Sequence, residues 1–181
     1  MLPIGLLMIE HRLIERMIKV IEDKLNQITK DKIVDTSFIE RSVDFIRTYA
    51  DRCHHGKEED ILFRELRKKP LSSEHQKIMD ELIEEHRRGR EITGRLDEAN
   101  ENYSKGDKNS VEIIIECLIS LVEFYPKHIE KEDRHFFIPI MAYFYDNEKD
   151  SMLQEGYDFD RKLIHEKYQN LVQQEENVNK P

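Results

Sequence analysis

Apolar side chains recur every three or four residues along four long stretches of the chain, a spacing that places them on one face of an α-helix. In the first stretch, at about residues 3–28, this face includes Leu7, Ile14, Ile18 and Leu25. Three further stretches repeat the pattern, and each is bounded by capping or turn residues. The predicted boundaries are, in chain order, a capping box of Ser37 and Glu40, a stop at Pro70, a cap at Ser72 or Ser73, a turn at 104–107 and a start at Asn109 or Ser110.

Four long helices with short connections predict an all-α protein whose core is an up-down-up-down antiparallel four-helix bundle. We assign the bundle to residues 1–145. Residues 146–174 are predicted to form a C-terminal extension of one or two short helices that packs on the bundle. Residues 175–181 are polar and are predicted to be a frayed tail.

The amino-acid composition disfavours some classes of binding partner. Charged residues make up 37% of the 181 residues and the formal net charge is −9, so an acidic surface disfavours nucleic acid and anionic membranes. No apolar run approaches the roughly 18 residues of a membrane span, and the apolar start lacks the features of a signal peptide. Cys53 and Cys117 form no metal-binding or redox pair, which favours a reducing, cytoplasmic setting.

Two short motifs occur twice, in the same order and at nearly the same offset. Residues 54–63 (HHGKEEDILF) resemble residues 128–137 (HIEKEDRHFF), since both read His-x-x-Lys-Glu followed by an acidic residue. Upstream, the Glu-His-Arg at 10–12 recurs at 85–87. The repeat predicts two similar helix pairs that are related by a pseudo-two-fold axis.

The spacing within the repeat indicates metal ligands. A histidine and a glutamate four residues apart project from the same side of a helix, and imidazole with carboxylate suits iron, zinc or copper. Four buried histidines without compensation would destabilise a core, and a bound cation is the simplest compensation. The predicted ligands of this dinuclear site are His11, His54, Glu58, His86, His128 and Glu132.

A second register is open at the first motif, because His55 and Glu59 have the same spacing as His54 and Glu58. The overlay of the two motifs favours His54 and Glu58, so His55 and Glu59 are expected at the rim of the site. Tyr125, one turn before His128, is the candidate for a residue that supports the ligands, although core packing also explains it.

The order of these ligands resembles the hemerythrin-like (HHE cation-binding) family, whose pattern is a histidine, His-x-x-x-Glu, a histidine and a second His-x-x-x-Glu. The resemblance covers about residues 5–145. It implies four antiparallel helices around two iron ions with carboxylate bridges, and zinc can occupy the same ligands. In that family such centres bind O₂, sense oxygen or iron, respond to nitric oxide or act weakly on peroxide.

One departure separates the chain from the oxygen carriers of this family. Those proteins have a fifth histidine one turn from the histidine of the third helix, where this chain has Leu82 and Arg90 around His86. The resemblance then implies that one iron has an open position or is completed by water or a carboxylate, and it argues against reversible oxygen carriage. The expected function is binding or sensing of O₂, nitric oxide or peroxide. The alternative is a di-iron oxidoreductase, for which no catalytic residue and no protein partner is assigned.

Overall fold

The computed structural model describes residues 1–178, with side chains through residue 164 and at Lys167. Five long helices make up this part of the chain, and it contains no strand. Their bounds are α1 at Pro3–Asp31, α2 at 36–66, α3 at Ser73–Ser104, α4 at 110–143 and α5 at Asp146–Val178. Helices α2 and α4 are composite, and their α-helical starts, Thr36–Phe45 and Ser110–Glu130, lead into π-helical turns.

Local capping explains where the helices begin and end. The predicted capping box at Ser37 is wrong: Asp35 caps α2, since its side chain accepts a hydrogen bond from the backbone N–H of Phe38 at 3.1 Å. Ser72 caps α3 as expected and accepts from the N–H of His75 at 3.2 Å. The chain turns after α3 at Gly106, whose φ of 105° lies in the region that glycine tolerates best.

The helices pack as a bundle. Helix α4 has its most extensive contacts with α3 and α1, and α2 packs on α3. The short C-terminal helices that were predicted are one long helix, α5, which packs on α1 and α2. It continues into the segment predicted as a tail, of which residues 179–181 lie outside the described residues. None of the described helices is both long and apolar enough to cross a bilayer.

Two apolar clusters form the core, and the predicted ligands lie between them along every helix of the bundle. On α1, for example, Leu7 belongs to the smaller cluster and Ile14 to the larger one, with His11 between them. The same order holds on α3, where Leu82 and Ile92 flank His86. A polar layer therefore lies between two apolar layers.

The larger apolar cluster gives a direct test of the packing. Leu118 on α4 is fully buried, whereas its neighbour Ile119 is 42% exposed. We expect Leu118→Ala to lower the free energy of unfolding by about 2–5 kcal/mol, because it leaves a cavity. Ile119→Ala, the matched control, should change it by no more than about 0.5 kcal/mol. Urea denaturation followed by circular dichroism measures both, and equal losses would contradict the described register of α4.

Candidate metal centre

Four helices bring their predicted ligands together at the polar layer. The ligand atoms form two groups, and within each group they lie within 4.8 Å of one another and are buried. The first donor group is His11, His54, Glu58 and Glu132. The second donor group is His55, Glu58, His86 and His128. All six predicted ligands are thus in one place, and Glu58 belongs to both groups.

The two glutamates connect the donor groups through separate oxygens. Glu58 directs Oε1 to Nε2 of His54 at 3.3 Å and Oε2 to Nε2 of His86 at 3.2 Å. Glu132 directs Oε2 to Nε2 of His11 at 3.1 Å and Oε1 to Nε2 of His128 at 3.3 Å. Neighbouring ligands held at about 2.1 Å from one cation are themselves about 3.0–3.4 Å apart, in octahedral and tetrahedral geometry respectively. These separations suit ligands of metal cations, which Glu58 and Glu132 would hold together with the four histidines.

The donor atoms have no other partners. Nε2 of each of the five histidines and all four oxygens of Glu58 and Glu132 are buried without a hydrogen bond within the described part of the chain. Buried polar atoms are rarely left in this state, because each costs free energy when removed from water. Cations would coordinate all nine atoms at once. The donor set thus fits a pair of metal ions.

Carboxylates outside the cluster orient four of the five histidines. Each accepts a hydrogen bond from a ring Nδ1, so that Nε2 faces the donor cluster, a frequent arrangement around metal ligands. The pairs follow the internal repeat, because overlaid residues make equivalent contacts. These pairs are His54 with Glu10 at 3.0 Å, His128 with Glu85 at 2.8 Å, His11 with Asp133 at 2.7 Å and His86 with Glu59 at 2.8 Å.

Each half of the repeat also has a lysine that contacts its outer glutamate. Lys131 donates to Glu85 at 2.5 Å and remains 28% exposed. Its counterpart Lys57 contacts Glu10 but is only 3% exposed, because α5 covers it and adds Asp160 as a second partner. Burial alone lowers the pKa of Lys57, but the two carboxylates outweigh burial and raise it.

The carboxylates also set the charge of the cluster. Burial lowers the pKa of His11, but the hydrogen bond to Asp133 and the charges of Glu132 and Glu58 outweigh it and raise this pKa to about 10. At His55 burial also lowers the pKa. The charges of the neighbouring histidines lower it further, so it lies well below its usual value. His55 is therefore a neutral imidazole, the form that binds a cation.

The rim position expected for His55 is wrong. This side chain is only 2% exposed, and its ring stacks on His86 with 3.9 Å between centroids. Glu59 does lie outside the cluster, where it accepts from Nδ1 of His86 and from Arg90. His55 lies in the same donor group as His86, so α2 would supply the fifth histidine that α3 lacks. Each donor group has four members, but the first has two histidines whereas the second has three.

Local helix geometry explains why His54 and His55 both reach the cluster. Three π-helical segments surround the two motifs, at Ile46–His55, Glu58–Phe63 and Lys131–Phe136. In a π-helix the hydrogen bonds run from i to i+5, so successive side chains are rotated by a smaller angle than in an α-helix. The sequence signal was the adjacent histidine itself, since its counterpart in the repeat is the apolar Ile129.

A cavity of about 290 Å³ between α2 and α3 reaches the second donor group, and we call it the α2–α3 cavity. His55, His86 and Tyr125 are among the residues that line it. Tyr125 is buried, as core packing requires, and among the described contacts it makes no hydrogen bond to a ligand of the cluster. Its supporting role stays a prediction.

Taken together, the helices and the buried histidines and carboxylates define an all-α protein with a centre suited to metal cations. The chain matches the family model described as the hemerythrin HHE cation binding domain over residues 2–138, and it belongs to this family. Comparison with curated proteins and with solved structures gives no match.

Proposed function

We propose that this protein is a non-haem di-iron protein that binds or senses O₂, or another small ligand such as nitric oxide or peroxide. The observation that carries the proposal is the pair of donor groups joined by Glu58 and Glu132, with nine buried atoms lacking any other partner. We infer that the scaffold is four antiparallel helices in up-down-up-down order. The two free, buried cysteines are in keeping with a cytoplasmic setting.

The donor types favour iron. Mixed imidazole and carboxylate ligands suit iron, and bridging carboxylates allow more than four ligands on each ion, whereas a structural zinc site is closed with four. Zinc can still occupy the same side chains. When bound, the two iron ions supply coordination positions for the small ligand and electrons for its reduction.

The protein supplies an asymmetric environment for the ligand. His11 and His54 are the histidines of the first donor group, and Ile129 is the repeat counterpart of His55. We infer that the ion of this group keeps the position for the small ligand, because the second group has one histidine more. The apolar clusters lie above and below this position.

Iron analysis of anaerobically prepared protein tests the proposal, and the expected result is two irons per chain. Exposure to O₂ or nitric oxide should change the absorption spectrum, and removal of the gas should reverse that change. Glu58→Gln should lose iron because it removes a bridging charge. The surface variant Glu84→Gln is the control and should keep both ions, since Glu84 is 67% exposed and pairs with Arg87.

The outcomes separate the alternatives. A chain that takes up no metal, or equal iron loss in both variants, would contradict the proposed centre. Irreversible oxidation accompanied by turnover of peroxide with a donor dye would favour the di-iron oxidoreductase.

A further inference from the structure

His55 lacks the outer partner that the other four histidines of the cluster have. Its Nδ1 has no hydrogen bond within the described residues, although the side chain is only 2% exposed. The nearest carboxylate, Asp51, is 3.5 Å from this nitrogen, and its Oδ1 already accepts from Nε of Arg90 at 2.7 Å. One position in an otherwise regular set of histidine–carboxylate pairs is therefore unfilled.

The missing partner of Nδ1 becomes important when a cation is bound at Nε2 of His55. This inference therefore rests on the proposed function. With Nε2 of His55 on the cation, Nδ1 keeps its proton and is a donor. A buried donor without an acceptor is unfavourable, and a partially positive imidazole beside a cation is a stronger donor than a free one. The missing group must be a hydrogen-bond acceptor, and a negative charge suits it best.

The α2–α3 cavity offers room for such an acceptor at this place. His55 and His86 are buried residues of its lining, and Arg90, which is 42% exposed, also lines it. The volume of about 290 Å³ exceeds the roughly 30 Å³ that a water molecule occupies in the liquid, so the cavity takes a molecule of several heavy atoms. Ile46 and Tyr125 contribute apolar wall.

Arg90 has the donors to hold an anion there. It uses Nε on Asp51 and Nη2 on Glu59, and a guanidinium carries five N–H donors in all. Asp51 also lines the cavity, but Arg90 offsets its charge. Arg47 lies on the same side, paired with Asp97.

We propose that the α2–α3 cavity binds a small monocarboxylate, whose carboxylate accepts a hydrogen bond from Nδ1 of His55 and pairs with Arg90 while a short alkyl chain lies on Ile46 and Tyr125. The ligand thus acts as the fifth outer carboxylate of the metal centre. It occupies a different place from the small ligand of the first donor group.

Calorimetric titration of the metal-loaded protein with acetate, propionate and butyrate tests this site, with chloride at equal ionic strength as the reference. We expect one saturable binding event per chain for a carboxylate and none for chloride. Arg90→Gln should weaken binding at least tenfold, and Thr93→Phe, which fills the cavity wall, should abolish it.

A matched control comes from the groove beside His128, which is lined by Arg88. Nδ1 of His128 already donates to Glu85, so Arg88→Gln should leave carboxylate binding unchanged. In the zinc-loaded, diamagnetic protein, the Nδ1 proton of His55 should also move downfield in the NMR spectrum when the carboxylate is added. Metal content is measured on every variant.

Failure of this inference is distinguishable from failure of the proposed function. Protein that contains no metal contradicts the di-iron proposal. Protein that is fully loaded but gives no saturable heat with any carboxylate, or binds equally well after Arg90→Gln and Thr93→Phe, overturns the cavity site alone. A His55 proton already hydrogen-bonded to Asp51 in the zinc-loaded protein has the same consequence.

Discussion

Removal of both metal ions is expected to lower the melting temperature by about 15–30 °C. A ligand present at a thousand times its dissociation constant stabilises the folded state by about 4 kcal/mol, so two ions contribute about 8 kcal/mol. For a chain of this size each kcal/mol corresponds to roughly 2–4 °C. The nine unpartnered donor atoms are the structural reason, because without cations they remain buried and unsatisfied.

Thermal melts of the loaded protein with and without a chelator measure this shift. The double variant His54→Ala, His128→Ala serves as control: it removes one histidine from each donor group and should melt at the same temperature under both conditions. If the chelator removes the metal from the wild-type protein but does not change its melting temperature, the view that the cations complete the core is contradicted.

The second large effect is expected at Lys57. Lys57→Met should lower the free energy of unfolding by about 3–5 kcal/mol, because it leaves Glu10 as a buried charge without its cation. Glu10 also accepts from His54, so the ligand it orients loses support as well. Asp160 of α5 loses its contact in the same substitution.

The internal repeat supplies the control for this prediction. Lys131→Met removes the equivalent lysine, but Lys131 and Glu85 are both 28% exposed and water can solvate what remains. Its cost should not exceed about 1 kcal/mol. Urea denaturation of the metal-free proteins compares the two, which keeps changes in metal affinity out of the measurement. Similar losses would show that α5 does not shield the Lys57 side of the centre.

Much of the fold could be predicted because its signals are local. The periodic apolar stripes and the turn at Gly106 indicated helices close to the observed ones, and the duplicated motif brought His54 and His128 to one site. The C-terminal helix was harder, because only packing on α1 and α2 joins its weakly amphipathic sequence into one long element. A short-range sequence pattern is enough to predict that a helix exists. The length of the C-terminal helix, by contrast, depends on its tertiary contacts with α1 and α2.

Six residues of the site could be predicted from the sequence, but its fifth histidine could not. His55 was ranked second because the overlay of the two motifs favours the register of His54, on the assumption of about 3.6 residues per turn, which directs adjacent side chains to different faces. The π-helical turns at the motif break that assumption. The outer carboxylates could not be paired from the sequence either, since Asp133 and His11 lie on opposite halves of the chain and meet only in the folded bundle.

That crosswise arrangement makes the two halves of the chain interdependent. The first donor group takes Glu132 from α4 to complete ligands from α1 and α2, and the second takes His55 and Glu58 from α2 to complete ligands from α3 and α4. A helical hairpin cut from either half carries an incomplete set for both ions. Bound cations would therefore link the two repeats, and neither helix pair alone would provide the full set of ligands.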